Sequence, residues 1–226
     1  MSTAHLEHDG HEAHGDHPAH LAHHFDNPAQ QEGAAKLGMW IFLATDAMSF
    51  SGLLLSYGIL RSGADKWPDP THTLGIWFTA ATTFILICSS VSMVMALAAA
   101  QEGNKAGTLK WLGLTILGGV TFLGGQVYEY WHFIDQGVGL ATSPFWSTFF
   151  STTGFHGAHV FTGVCYLSII TLGVSRDWWG RGTANMVEIV GLFWHFVDLV
   201  WILVFTLIYL IPVPPELIGP SGLGGH

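Results

Sequence analysis

Eight ionisable side chains fall inside or beside long apolar stretches: Asp46, Glu129, His132, His156, His159, Glu188, His195 and Asp198. A charge near the middle of a bilayer costs at least about 2.5–3.5 kcal/mol on insertion scales, so such residues are read first as functional. Glu188 and His195 are seven apart and His195 and Asp198 three apart, which places all three on one helical face. His156 shares a face with His159, and Glu129 with His132. Turned into a bundle, such faces let carboxylates and imidazoles pair across helices. The same residue types could move protons, ligate haem from facing helices, or build a di-metal centre from Glu129, His132, His156, His159 and Glu188. Only Glu129 and His132 have the Glu-x-x-His spacing of carboxylate metal bundles. Hydrogen-bonded pairing therefore ranks first, proton movement second and a bound redox centre third.

Asp46 stands differently. It lies in WIFLATDAMSF with no histidine near it in sequence, so it is expected to be an unpaired buried acid. It would either exchange protons or form a helix–helix hydrogen bond, with Thr45 or Ser49 sharing the load. A second cluster occupies the N-terminus. In HLEHDGHEAHGDHPAHLAHH, histidine recurs at His5, His8, His11, His14, His17, His20 and His23, with His24 beside the last. Glycines and Pro18 argue against a helix there, and the composition predicts disorder. An imidazole titrates at about pH 6.5, so such a tail can collect and release protons at physiological pH. His-rich tracts also bind transition metals.

The elements that must position these groups follow from hydropathy. Half of the 226 residues are hydrophobic and only 10% are charged, against about 25% in a soluble domain. Five apolar stretches, near 37–60, 73–100, 109–131, 144–174 and 187–211, each approach or exceed the roughly 20 residues needed to span a bilayer. The connectors RSGADKWPDPTH, QEGNKAGTLK, HFIDQGVGLATSP and SRDWWGRGTAN are too short to be domains. The fold class is thus all-α: a bundle of five transmembrane helices over 36–211, a polar tail over 1–35 and a Pro/Gly-rich tail over 212–226.

Basic residues set the orientation. Lys36, Lys105, Lys110, Arg176 and Arg181 fall on the N-terminal side and only Arg61 and Lys66 on the other, which predicts a cytoplasmic N-terminus. Trp67, Trp111, Trp131, Trp178 and Trp179 are expected at helix ends as an aromatic belt. Glycines 113, 118, 119, 124 and 125, with 154, 157 and 163, are expected at helix contacts. Cys88 and Cys165 read as small buried hydrophobes. Seven Lys and Arg in the whole chain make nucleic acid an improbable partner. No basic start leads into an apolar core, so no signal peptide is expected.

Four stretches carry a family resemblance: KLGMWIFLATDAMSF, FLGGQVYEYWHF, TTGFHGAHVFTGV and VEIVGLFWHFVDLVWILVF. From Lys36 to Ile211 the chain resembles subunit III of the haem–copper respiratory oxidases, in a short five-helix bacterial form. The most specific features are GFHGxHVxxG and, some 30 residues later, E-x6-HFVDxVW. The resemblance implies a non-catalytic subunit of a cytochrome c or quinol oxidase in the bacterial cytoplasmic membrane. It would pack on subunit I, belong to a complex with subunit II and supporting lipid, and sit within a supercomplex in some cases. Haem and copper would reside in the partner subunits, with no metal held here.

By the same resemblance, Glu129, His132, His156, His159, Glu188, His195 and Asp198 would form a buried polar network rather than ligate metal. The family's intramembrane carboxylate, a glutamate in LGMxLFxxSE, aligns with Asp46, one methylene shorter. The tail histidines would serve as a proton-collecting antenna. The accessory protein of nitric oxide reductase shares the pattern and is the nearest alternative. An independent proton or metal transporter is disfavoured because no inverted repeat is visible.

Overall fold

The computed structural model describes residues 28–219. Five long helices carry the chain: α1 (Pro28–Ser62), α3 (Ile76–Gln101), α4 (Lys105–Asp135), α5 (Pro144–Ser175) and α6 (Thr183–Val204). A single turn, α2 (Pro70–Thr73), lies between the first two. Among the described residues the only β feature is one parallel bridge, between Trp67 and Ile218. All five long helices are long and apolar enough to cross a membrane; for the last, that length runs through Leu210. The chain is a multi-pass, all-helical membrane protein.

Local sequence sets the helix boundaries. Asn104 caps α4, its side chain accepting from the Gly107 N–H at 2.9 Å, and Ser143 does the same for α5 ahead of Pro144. Three helices end in one motif, in which a residue of left-handed conformation follows the last turn. Gly103 closes α3, Gly137 closes α4 and Asp177 closes α5. The next N–H reaches back in each case, as from Asn104 to the carbonyl of Ala99. Asp177 adopts φ 54°, a conformation Asp tolerates better than most residues.

Helix α1 begins eight residues before the tail boundary expected at 36, because PAQQEGAA opens with Pro at a helix-compatible position and continues with good helix formers. At the other end of the chain, α6 passes directly into a π-helical segment, Phe205–Leu210, before the prolines at 212, 214 and 215 stop it.

Packing is a four-helix ring with a fifth helix docked outside. Helix α3 packs on α4 and α6, and α5 packs on α4 and α6, while α1 lies against α5 and α6. Helix α6 is therefore the hub, and it contributes Val187, Val190, Trp194, Trp201, Val204 and other side chains to the continuous core. Small residues allow the close approaches. Gly119 and Gly163 face the Trp194 indole, Gly118 faces Ser89 and Gly125 faces Thr82. Gly113 and Gly124, expected at contacts, have open space beside them, since they fall on the opposite side of α4.

Two further expectations change. Trp67 is no interfacial anchor: it is buried, edge-on to Tyr57 and Phe145. Its backbone pairs with Leu217 and Gly219, while Arg61 donates to the carbonyls of Ile211 and Pro212. Those contacts tie the C-terminal segment to the end of α1 and pull the indole inward. Cys88 and Cys165 are not buried; both lie exposed on helix surfaces, because their turns of α3 and α5 face away from the core.

Candidate functional site: paired polar groups within the bundle

The polar groups at membrane depth sort into separate pairs, each joining two or three helices. The deepest involves Asp46. It stands at the midpoint of the span Gln30–Ser62 and His159 at the middle of Pro144–Ser175. The two side chains meet with His159 Nε2 3.2 Å from Asp46 Oδ1. His159 Nδ1 faces the Phe155 carbonyl at 2.8 Å, which requires the proton on Nδ1. Asp46 is thus partnered, against the expectation of an isolated acid; its partner comes from α5, more than a hundred residues away in sequence. Thr45 and Ser49 do not share its load, because their hydroxyls bond to carbonyls of their own helix.

One turn from His159, His156 is fully buried and stacked on Trp201 at 4.7 Å, with Phe122 edge-on at 5.7 Å. Neither of its ring nitrogens has a hydrogen-bond partner in the chain. Adjacent spacing on α5 therefore sends the two histidines of GFHGAH to different surroundings, one to a carboxylate and one to an aromatic cage.

On α6, the residues of WHFVDLVW face α3. His195 Nδ1 lies 3.2 Å from Ser90 Oγ, and Asp198, one turn on, is buried with its Oδ1 lacking a hydrogen-bond partner in the chain. Trp194 Nε1 donates to Ser89 Oγ at 3.1 Å, and Trp201 Nε1 donates to Thr83 Oγ1 at 2.8 Å. Glu188, seven residues before His195, is paired with Lys36 of α1 at 2.7 Å instead. Glu129 accepts from Thr79 Oγ1 at 3.0 Å and from Tyr209 Oη at 3.3 Å, and so links α3, α4 and the π-helical segment. His132, one turn on, is exposed and bonded to Gln136.

The expected network residues thus occupy separate clusters. Asp46 joins His159, Glu188 joins Lys36, and His195 joins Ser90, while Glu129, His156 and His132 sit apart from these pairs. Among the described residues, no three His, Cys, Asp or Glu side chains come together as a metal site would require. The tail positions His5, His8, His11, His14, His17, His20 and His23 lie outside the described residues.

Several partners escaped the sequence reading: Lys36, Thr79, Thr83, Ser89, Ser90 and Tyr209. A signal for most of them exists. Threonines and serines recur along α3 at 79, 82, 83, 89, 90 and 92, and the hydroxyls on that face meet Glu129, Trp201, Trp194 and His195.

Comparison with known proteins decides what this arrangement belongs to. Residues 19–212 match the protein family described as cytochrome c oxidase subunit III. The chain belongs to the cytochrome c oxidase subunit III family. Among its relatives, the cytochrome c oxidase subunit 3 of Corynebacterium diphtheriae is 38% identical over 178 residues, covering 77% of this chain and 87% of the relative. The cytochrome bo(3) ubiquinol oxidase subunit 3 of Pseudomonas putida is 35% identical over 177 residues, covering 78% and 86%. That of Pseudomonas aeruginosa is 32% identical over 217 residues, covering 93% and 98%. As a subunit III of the haem–copper oxidases, the chain is part of a respiratory oxidase complex. Its GFHGAH and HFVDLVW motifs supply the pairs described above from α5 and α6.

Proposed function

We propose that this chain supports a bacterial terminal oxidase without carrying its redox chemistry, packing on subunit I and aiding proton uptake from the cytoplasmic side. The observation that carries the reading is the Asp46–His159 contact, an imidazole against a carboxyl at the midpoint of two membrane-spanning helices. The other deep imidazoles are already engaged or enclosed: His195 on Ser90 and His156 among Trp201, Phe122 and Phe50. Among the described residues no three His, Cys, Asp or Glu side chains converge as a protein-held copper ion demands. These groups fit partner subunits that hold the haem and copper, while this chain's polar pairs fix its helices.

The basic residues Lys36, Lys105 and Arg176 lie at one end of the bundle. By the positive-inside rule this end faces the cytoplasm of a bacterial inner membrane. The tail histidines then lie on the uptake side, where they collect protons for the oxidase. Electrons reach the complex from cytochrome c or quinol. Phospholipid supports the contact with subunit I where tryptophan and glycine faces meet it. In some settings the complex joins a larger supercomplex.

The test is turnover of the purified oxidase with and without this chain, and with His5, His8, His11, His14, His17, His20 and His23 replaced by alanine. The haem spectrum is expected to survive removal, while proton uptake slows or the enzyme inactivates during turnover. Alanine replacement in the tail is expected to slow uptake without loss of the chain. Isolation of the chain alone with its own stoichiometric haem or metal, or unchanged turnover after its removal, refutes the proposal.

A further inference from the structure

Six of the eight buried side-chain atoms that lack a hydrogen-bond partner among the described residues belong to one seam of the bundle. They are Asp46 Oδ2, both ring nitrogens of His156, Thr152 Oγ1, Tyr57 Oη and Trp67 Nε1. None of these five residues is more than 8% exposed. The other two atoms, on Asn185 and Asp198, belong to α6. Buried polar atoms in native proteins are satisfied almost throughout, by ordered water where the chain supplies no partner.

Contacts between α1 and α5 fix the order of these groups. Asp46 meets His159, Phe50 meets Phe155 and His156, and Trp67 stands between Tyr57 and Phe145. Residue numbers thus rise along α1 as they fall along α5. At roughly 1.5 Å per residue, His156 stands about 4–5 Å beyond the level of Asp46, Thr152 about 10 Å and Tyr57 about 16 Å. Trp67 follows in the connector at the Arg61 end. Steps of about 5–6 Å are the reach of one water hydrogen-bonded on both sides at about 2.8 Å.

The chemistry of the two ends selects the ligand. The Trp67 indole N–H only donates, whereas an Asp46 carboxylate oxygen accepts. Between them the Thr152 and Tyr57 hydroxyls and the His156 imidazole each offer a donor and an acceptor. A metal ion finds no ligand set, since no three His, Cys, Asp or Glu side chains converge among the described residues. An anion would face Asp46. Water answers every group, and a chain of this length ordinarily holds several buried waters, at about one per 27 residues.

We propose that a file of internal waters runs through the α1–α5 seam from Trp67 to Asp46. It opens the mid-membrane Asp46–His159 pair to water from the Arg61 end of the bundle. The access is one-sided. From Asp46 towards Lys36, α1 and α5 carry no unpartnered buried side-chain atom among the described residues, so the file stops at the pair.

The experiment is X-ray hydroxyl-radical footprinting of the intact oxidase, read by mass spectrometry, because radicals formed from bound water oxidise the side chains beside it. Trp67 and Trp194 are a matched pair: both indoles are at most 3% exposed, but Trp194 donates to Ser89. Trp67 and Tyr57 are expected to oxidise several-fold faster than Trp194. Thr152→Val keeps the shape and removes the middle hydroxyl. It is expected to lower oxidation of His156 several-fold and to leave Trp67 unchanged, while Thr152→Ser keeps the wild-type pattern. Equal rates at Trp67, Tyr57 and Trp194 overturn the proposal. So does oxidation of His156 that Thr152→Val leaves unchanged. The comparison of Trp67 with Trp194 needs no substitution, so it decides even where Thr152→Val fails to assemble.

Discussion

His159 Nε2 lies 3.2 Å from Asp46 Oδ1, at the middle of both α5 and α1. Helix α1 sits outside the ring, so this pair, the Lys36–Glu188 contact and Arg61 at the far end are polar ties along its length. Asp46 is buried, and its Oδ2 has no partner in the chain. Removing the imidazole leaves a buried carboxyl without its partner, at a cost of about 1–3 kcal/mol. His159→Leu is therefore expected to release the chain from the oxidase in detergent. Asp46→Asn, which keeps a polar partner of the same shape for His159, is expected to stay bound. Densitometry of the purified subunits checks this, and the reverse order would falsify the tie.

Trp194 Nε1 donates to Ser89 Oγ where α6 crosses α3. Ser89→Ala leaves the buried indole N–H without its acceptor, while after Trp194→Phe the Ser89 hydroxyl still donates to the Leu86 carbonyl. Ser89→Ala is therefore expected to lower the thermal stability of the complex by about 1 kcal/mol and Trp194→Phe by no more than that. Their double variant is expected to cost less than the sum, with a coupling of about 0.5 kcal/mol or more. Strict additivity in the cycle means the bond contributes nothing.

Most of the architecture was legible because hydropathy reports directly on membrane-length helices. The five apolar stretches and their short polar connectors became α1, α3, α4, α5 and α6 with ends displaced by a few residues, except that α1 starts nine residues earlier. Partnership was less legible. Asp46 looked solitary because pairing depends on which helices touch, and the α1–α5 contact leaves no trace in local spacing. The common face of Glu188, His195 and Asp198 was readable, yet it divides between α1 and α3 because α6 lies between them. Tyr209 escaped notice for a backbone reason: a π-helical segment shifts its register from the α-helical continuation of α6.

That shift has a consequence for Glu129. Its carboxylate is buried and accepts from two hydroxyls, Thr79 on α3 and Tyr209 on the π-helical segment. Tyr209→Phe removes one donor and fills the same volume. The expected effect is a loss of about 1–3 kcal/mol in stability of the complex, the cost of an unsatisfied buried acceptor. Tyr209→Phe combined with Glu129→Leu is expected to recover part of it, because no carboxylate then remains to satisfy. Thermal denaturation of the assembled oxidase measures both. Stability unchanged in the single variant shows the carboxylate finding another donor.

The glycines of α4 divide sharply by the space beside them. A methyl group on Gly119 would come within 2.5 Å of the Trp194 indole and 2.8 Å of Val164, inside the contact of α4 with α5 and α6. On Gly113 or Gly124 it would meet nothing within 4 Å. The same residue type therefore has opposite substitution costs on two sides of one helix. Gly119→Ala must displace a buried indole that already donates to Ser89, so overpacking and the hydrogen bond are strained together. The expected cost is about 1–3 kcal/mol. Gly113→Ala and Gly124→Ala are expected to be neutral or to stabilise, since alanine is the better helix former by up to about 1 kcal/mol. Yield and thermal stability of the three variants in the purified complex give the comparison. If Gly113→Ala or Gly124→Ala instead expels the chain from the oxidase, that side of α4 is covered by a neighbouring subunit.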